Sequence, residues 1–293
     1  KRKENKSKIK IIIFNISKQK LSKHFINKNI EINQDSTLFD QNIVVRIIDK
    51  ISLLFLNKTI FLEKFLLKNK IDIISHTSII SGINSCSKSI IWIPDFQYLH
   101  FPKLFSLKYK IFKYINMKLY SKCAHKILLS SDSAKEVLKI ISNISSKKIE
   151  LNKFFFKVPP KNKLKKFSYL RKKYKLPNKY FYLPNQYWEH KNHKIVIEKL
   201  KKIQNKKIFI CSTGSKNDHR NPKYFLNLME NLKKNKLENN YKYLGLVPYI
   251  DVMSLMYHSL ALINPSYFEG WSSTVEQANA YKQFSRDFFD LIV

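Results

Sequence analysis

Arginine is scarce in this chain of 293 residues: of its 55 basic side chains only Arg2, Arg46, Arg171, Arg220 and Arg286 are arginine. The formal net charge of +34 and the isoelectric point near 9.9 would by themselves point to a polyanionic partner, either nucleic acid or an anionic membrane surface. A dedicated nucleic-acid reader favours arginine, whose planar fork matches phosphate and guanine, and gathers its charge on one element. Here the lysines run along the whole chain beside an excess of Ile and Asn, as a coding bias toward AAA, AAT and ATA codons would leave. They read as a solvated surface, and no specific nucleic-acid partner is expected. Cysteine is sparse too. Cys86, Cys123 and Cys211 are odd in number, widely spaced and form no CxxC, so they read as reduced core residues of a cytoplasmic protein. No apolar run reaches the roughly 18 residues that a membrane span needs. The basic opening Lys1 to Lys10 leads into a short apolar stretch and not a secretory signal. The expected location is cytoplasmic, and peripheral contact at the inner face of the membrane stays compatible with it. The first residue is Lys, not Met, from which the natural N-terminus is expected to lie outside this sequence.

What is present is a globular composition, with 44% hydrophobic and 14% aromatic residues. The length suits two ordinary domains, each with its own core. Short β-branched runs alternate with longer basic amphipathic stretches, the pattern of parallel strands joined by crossover helices, so the fold class is α/β. Strands are expected at Ile9 to Phe14, Ile71 to His76, Ser89 to Ile93 and Lys126 to Ser130, with helices at about Val44 to Lys68, Leu107 to Ser121 and Ser133 to Ser142. A second doubly wound unit carries strands at Tyr180 to Leu183, Lys207 to Cys211, Tyr241 to Leu244 and Leu260 to Asn264. Pro159, Pro160 and Pro177 among lysines mark 158–179 as the linker between domains at 1–157 and 180–293.

Open parallel sheets bind ligands beyond the carboxyl ends of their strands, where helix N-termini attract anions. The four loops of the second half therefore hold the candidate chemistry. In PNQYWEHKNH, Pro184 to His193, Lys191 at the start of a helix suits a diphosphate; the plainer reading makes His190, Lys191 and His193 exposed polar residues of a first turn. In STGSKNDHRNP, Ser212 to Pro222, Gly214 suits a tight turn, and Asp218 with Arg220 suits a local ion pair. In YLGLVPY, Tyr243 to Tyr249, the backbone around Leu246 and Val247 could meet a base edge, or Gly245 simply makes a turn. In NPSYFEGWSSTVEQANAY, Asn264 to Tyr281, Ser273 and Glu276 fit a capping box with Ser273 as N-cap. Gly270 would admit a close backbone approach, and Ser272, Ser273 and Thr274 face whatever anion docks at that helix end. Glu269, just before this anion site, suits sugar hydroxyls or a developing cation.

With these loops in order, the sequence resembles the large retaining glycosyltransferase group called group 1 or family 4, and within it a bacterial subgroup with PNQ-x-W-x-HKNH and PS-x-FEGWS-x-TVEEA segments. The resemblance covers roughly Ile71 to Tyr281. It implies a GT-B fold: two Rossmann-like domains facing a cleft, both incomplete here. The family's phosphate grip, Gly-Arg and a Lys five residues later, falls on Asn185, Gln186 and Lys191, so the Lys is kept and the Arg is replaced. Its paired glutamates fall on Glu269, near the donor sugar, and on Gln277, at the ribose. Gln277 gives up the charge-assisted part of that bond, and Glu276 is no substitute if its side chain serves the cap. Gly270 and Trp271 belong to the same motif. The segment WIPDFQYLHFP, Trp92 to Pro102, places Asp95, Gln97 and His100 as candidates for sugar contacts, with packing as the other role for His100; Ser130 and Ser131 match a further cleft-lining segment.

The resemblance implies transfer of a sugar from a nucleoside diphosphate sugar to an acceptor hydroxyl, on a glycan or lipid-linked acceptor, with retention and without a cofactor or required metal. The lack of any Asp-x-Asp pair agrees with this. By analogy the pathway is cell-surface polysaccharide or glycolipid synthesis. The family's N-terminal strand and glycine loop have no counterpart before Ile9, and Lys282 to Val293 stands where another strand and helices are expected, so weak or absent activity is anticipated for this chain. Two other readings stand beside it: a catalytically silent relic or nucleotide-binding subunit, favoured by Gln277, and a basic nucleic-acid-binding protein resting on charge alone. The stretch Phe105 to Lys122, rich in aromatics and lysines, suits either a core-packing helix or an anionic bilayer.

Overall fold

The computed structural model describes residues 10–14, 30–33, 42–142, 144–153, 156–203 and 208–281. Ile9, Lys207, most of the basic opening and the closing stretch Lys282 to Val293 lie outside the described residues. The chain forms two compact units, one made of Lys1–Trp92, Ile115–Leu128 and Ser142–Glu150, the other of Ile93–Tyr114, Leu129–Ile141 and Leu151–Val293.

In the first, β1 (Ile11–Phe14) and β2 (Ile30–Asn33) pair in parallel. A four-stranded sheet runs in the order β3 (Ile73–Thr77), β4 (Lys88–Ile93), β5 (Lys126–Leu129), β6 (Ile149–Leu151), with β3 and β4 parallel and a register shift between Ser75 and Thr77. The single helix expected over Val44 to Lys68 is two, α1 (Ile43–Leu56) and α2 (Phe61–Lys68). The reason is local. Asn57 turns left-handed at φ 54°, and the buried Asp49 carboxylate accepts hydrogen bonds from the N–H groups of Ile60, Phe61 and Leu62 at 2.9, 2.8 and 3.1 Å. A carboxylate across the free N–H groups of a helix start satisfies donors that have no partner in the helix. Cys123 and Cys211 are buried but Cys86 is exposed, so of the three cysteines read as core residues it is the exception.

Three further helices follow: α3 (Gln97–His100), α4 (Leu107–Cys123) and α5 (Asp132–Ile141). On α4 the buried positions are Met117, Tyr120 and Cys123, while Leu107, Phe112 and Tyr114 stay exposed among lysines.

The sheet of the second unit is parallel, in the order β7 (Phe181–Leu183), β8 (Ile210–Ser212), β9 (Tyr241–Tyr243). The fourth strand, expected at Leu260 to Asn264, is reduced to one parallel bridge between Tyr182 and Leu262, flanked by Leu260 N–H to Tyr180 O at 2.8 Å and Ile263 N–H to Tyr182 O at 2.8 Å. Pro265, which has no N–H, ends the pairing. The helices are α6 (Phe167–Tyr174), α7 (His193–Ile203), α8 (Tyr224–Lys234), α9 (Tyr249–His258) and α10 (Ser273–Ala280). Alternate strand residues feed two cores. Leu183, Ile210 and Tyr241 pack with Val196, Leu200, Leu228 and Leu232 from α7 and α8; Tyr182 and Cys211 pack with Leu170, Met253, Met256 and Ala278 from α6, α9 and α10. A parallel sheet covered on both faces needs such continuous apolar strands. Within the stretch read as a linker, α6 thus buries Leu170 in a core.

Buried tyrosines tie the strands to their loops. Tyr182 OH meets Thr213 Oγ1 at 2.8 Å and Tyr187 OH meets Tyr241 OH at 2.7 Å, with Ser212 Oγ as a second partner of Tyr187. Each of these hydroxyls would be costly to bury without a partner.

Candidate functional site

All residues of the site belong to the second unit. After β7 the chain makes a 3-10 turn over Glu189–Lys191, passes Asn192 in the left-handed conformation at φ 53°, and enters α7. His190 and His193 are buried, not exposed first-turn residues: His193 stacks on Tyr187 with centroids 4.0 Å apart. Burial, with Lys191 and Arg220 nearby, holds His190 at a pKa of about 4, and burial takes His193 to about 3. Both rings are neutral near pH 7.

Lys191 projects from this turn to the loop after Leu262, where its Nζ lies 2.6 Å from Glu269 Oε1; the side chains are 14% and 23% exposed. Residues 78 positions apart in sequence are thereby joined at the entrance to α10. That helix starts one residue earlier than its sequence suggests. Ser272 is the N-cap, accepting from Val275 N–H at 3.4 Å, and Glu276 donates its backbone N–H to Ser272 O at 3.1 Å. The capping box at Ser273 and Glu276 therefore does not form, because Glu276 falls at the fourth helical position and not the third. Ser273 and Thr274 occupy the first turn, where N–H groups lack helical partners.

Gly270 has a different neighbour from the one its motif suggests. A Cβ there would stand 2.6 Å from Pro94 O and 2.9 Å from Asp95 Cβ, so the close approach is by the chain's own backbone. Asp95 Oδ1 caps the turn into α3 by accepting Gln97 N–H at 3.0 Å. The ring of His100, exposed, lies 4.6 Å from that of Phe268, beside Glu269. The indole N–H of Trp271 is buried without a partner among the described residues, and Lys153 Nζ lies 5.9 Å from its ring.

The remaining expected residues are placed as follows. Gly214, at φ 143°, closes the turn after β8: its N–H donates to Gly245 O at 3.0 Å, and a Cβ would stand 2.3 Å from Asn185 O. Gln186 is exposed. Leu246 is 80% exposed while Val247 packs with the α6 and α9 core. Gln277 Nε2 donates to Tyr249 OH at 3.4 Å. Ser130 Oγ donates to Pro94 O at 3.3 Å, and Ser131 Oγ accepts Ala134 N–H at 3.2 Å at the start of α5.

The expected pair Asp218 and Arg220 forms at 3.1 Å, and it anchors a network that the sequence did not announce. Arg220 Nη1 donates to Gln97 Oε1 at 3.1 Å, Nη2 donates to His190 Nδ1 at 3.4 Å, and the guanidinium lies 5.3 Å from the Trp188 ring. Burial pushes the Asp218 carboxyl up, but hydrogen bonds from Arg220 and Glu189 N–H hold it below its ordinary value. Beyond the local Asp218–Arg220 pair, Glu189 lies 29 positions from Asp218, and His190 and Gln97 lie 30 and 123 positions from Arg220, outside any local pattern. Among the described residues no group of three or more His, Cys, Asp and Glu is placed to hold a metal ion, and no helix is long and apolar enough to cross a membrane.

No protein-family model matches the chain, and no curated protein matches it. Solved structures share its fold. A glycosyltransferase from Rickettsia africae ESF-5 aligns with a TM-score of 0.62 at 16% identity, over 94% of this chain and 70% of that one. Anabaena HepE in complex with UDP aligns with a TM-score of 0.58 at 14% identity, over 90% of this chain and 69% of that one. Sucrose-phosphate synthase from Thermosynechococcus elongatus gives 0.57 at 10% identity, over 82% and 59%. In the complex of HepE with UDP and glucose the chain spans 64% of that protein's length, less than two thirds. These likenesses give the α/β fold of the GT-B class, with Rossmann-like units built on parallel sheets.

Proposed function

We propose that this chain is a nucleotide-sugar-dependent glycosyltransferase, transferring a sugar from a nucleoside diphosphate to a hydroxyl of a glycan or lipid-linked acceptor. Retention of configuration, independence of metal and cofactor, and a cytoplasmic role in cell-surface polysaccharide or glycolipid synthesis complete the proposal. In it, 180–293 carries the donor, 1–157 serves the acceptor side and 158–179 links them; exposed Leu107, Phe112 and Tyr114 among lysines support peripheral contact with an anionic membrane.

One observation carries the reading: Lys191 and Glu269 meet at 2.6 Å where the chain enters α10. A cation and a helix start suit a departing diphosphate, and a carboxylate suits the positive character that departure leaves on the sugar. The bond between the anomeric carbon and the β-phosphate oxygen breaks with its electron pair left on the diphosphate. Lys191 and the N–H groups of Ser273 and Thr274 stabilise that charge. Glu269 is positioned for the positive character left on the sugar ring. The acceptor oxygen bonds the same carbon, and its proton passes to the departing phosphate. His100 and Asp95 flank this place, and Gly214, Gln186, Leu246, Val247, Gly270, Trp271, Ser272 and Gln277 complete the proposed donor surround.

Incubation with UDP-, GDP- and ADP-sugars and mixed glycan acceptors tests this by release of the nucleoside diphosphate. Acceptor-dependent release lost in Glu269→Ala is expected; no release from any donor contradicts turnover. A silent nucleotide-binding subunit is the second reading, favoured by Gln277 at the ribose position and by Glu269 already neutralising Lys191. Calorimetric binding without release would select it.

A further inference from the structure

Beside the Lys191–Glu269 pair lies a cavity of about 320 Å³, walled by Phe101, Pro102, Leu104 and Tyr267 with His100, Lys103, Glu189 and His190 as its polar members. It adjoins the proposed reacting pair through the backbone. His190 precedes Lys191, Tyr267 stands two residues before Glu269, and Tyr267 N–H donates to His190 O at 2.9 Å. Tyr267 is 64% exposed, and its ring lies 6.2 Å from that of Phe101.

Glu189 and His190 are prepared for a neutral hydroxylated ligand. A guanidinium only donates, so the 3.4 Å contact from Arg220 Nη2 makes His190 Nδ1 an acceptor and leaves the ring's proton on Nε2, a donor. Burial keeps that imidazole neutral, with a pKa of about 4. Asn221 Nδ2 holds Glu189 Oε2 at 3.0 Å, which fixes a carboxylate able to accept from hydroxyls. An acyl chain would leave the His190 Nε2–H and the second Glu189 oxygen against hydrocarbon, and a phosphate drawn to Lys103 would also meet the Glu189 charge. A pyranose offers what the walls ask for, an apolar C–H face and a rim of hydroxyls.

We propose that this cavity is an acceptor subsite that takes a hexopyranose ring of the acceptor glycan, its C–H face on Tyr267 and Phe101 and its hydroxyls toward Glu189 and His190. This rests on the transferase reading above, and its test separates the two. Methyl α-mannopyranoside and methyl β-glucopyranoside are the probes, followed by saturation-transfer NMR on the full chain, with and without saturating UDP, while UDP binding is read independently from the thermal midpoint. Transfer to ring protons of at least one hexoside is expected, undiminished by UDP. It falls about fivefold in Tyr267→Ala, the scale of one aromatic contact, and also falls in Glu189→Gln, which keeps shape and removes only charge. UDP binding with no hexoside signal, a signal unchanged in both variants, or displacement by UDP overturns the subsite. Hexoside binding without UDP binding leaves the subsite and overturns the donor reading instead.

Discussion

Lys191 and Glu269 neutralise each other across the entrance to α10, so any diphosphate must compete with the carboxylate for the ammonium. Glu269→Gln is therefore predicted to tighten UDP binding about fivefold by calorimetry, the scale of about 1 kcal/mol for a partly exposed ion pair, while abolishing transfer. Equal or weaker binding in this variant would show that the pair does not oppose the nucleotide. His190 and His193 give a second residue-scale expectation. Their pKa values of about 4 and about 3 lie below the usual histidine value of 6.5. The unfolded chain takes up these protons first, so stability is complete above about pH 6.5 and declines as the pH falls toward 4. Each ring adds a slope of up to about 1.4 kcal/mol per pH unit. Urea unfolding of His190→Gln is predicted to show a shallower decline between pH 6.5 and 4.5 than the parent; superimposable slopes would mean the ring is not held neutral. Lys191 and Glu269 were legible as separate candidates because each sits in a motif. The family resemblance brings Lys191 and the start of α10 to one diphosphate; that Lys191 and Glu269 pair directly, and that Arg220 reaches Gln97 and His190, no short-range pattern encodes.

At the scale of elements, the N-terminus of α10 turns on one hydroxyl. Ser272→Ala removes the acceptor of Val275 N–H and is predicted to cost about 1 kcal/mol by denaturant titration. Ser273→Ala is predicted to cost much less, the reverse of what S-T-V-E suggests in sequence. Equal losses would restore Ser273 as the cap. Gly214→Ala forces a side chain into φ 143° and into Asn185 O, and is predicted to lower the thermal midpoint by several degrees. Strand runs and the helix after PNQ were readable from β-branched clusters and apolar spacing. The break at Asn57 was not, since Asp49 caps α2 from the preceding helix. Nor was the loss of the last strand to a single bridge, where buried Leu262 and Ile263 carry the right pattern but Pro265 cuts the ladder.

For the whole molecule, a net charge of +34 makes self-repulsion a global term. Raising NaCl from about 20 to 300 mM shortens the Debye length from roughly 20 Å to below 8 Å, so the thermal midpoint should rise with salt. A midpoint that falls would show that attractive pairs dominate. The two-unit α/β fold was legible in the alternation of strands and helices, because periodicity and β-branching act locally. The divided course of the chain, with 93–114 and 129–141 joining the second unit, was not, because contacts distant in sequence set it. The proposed diphosphate site joins Lys191 to the start of α10. Isothermal titration of the parent protein and Lys191→Ala with UDP, GDP and ADP tests it most directly. At least one nucleotide should bind the parent and bind the variant ten- to a hundredfold more weakly, the scale of a hydrogen bond to a charged group; no binding by the parent, or equal affinity in the variant, contradicts it.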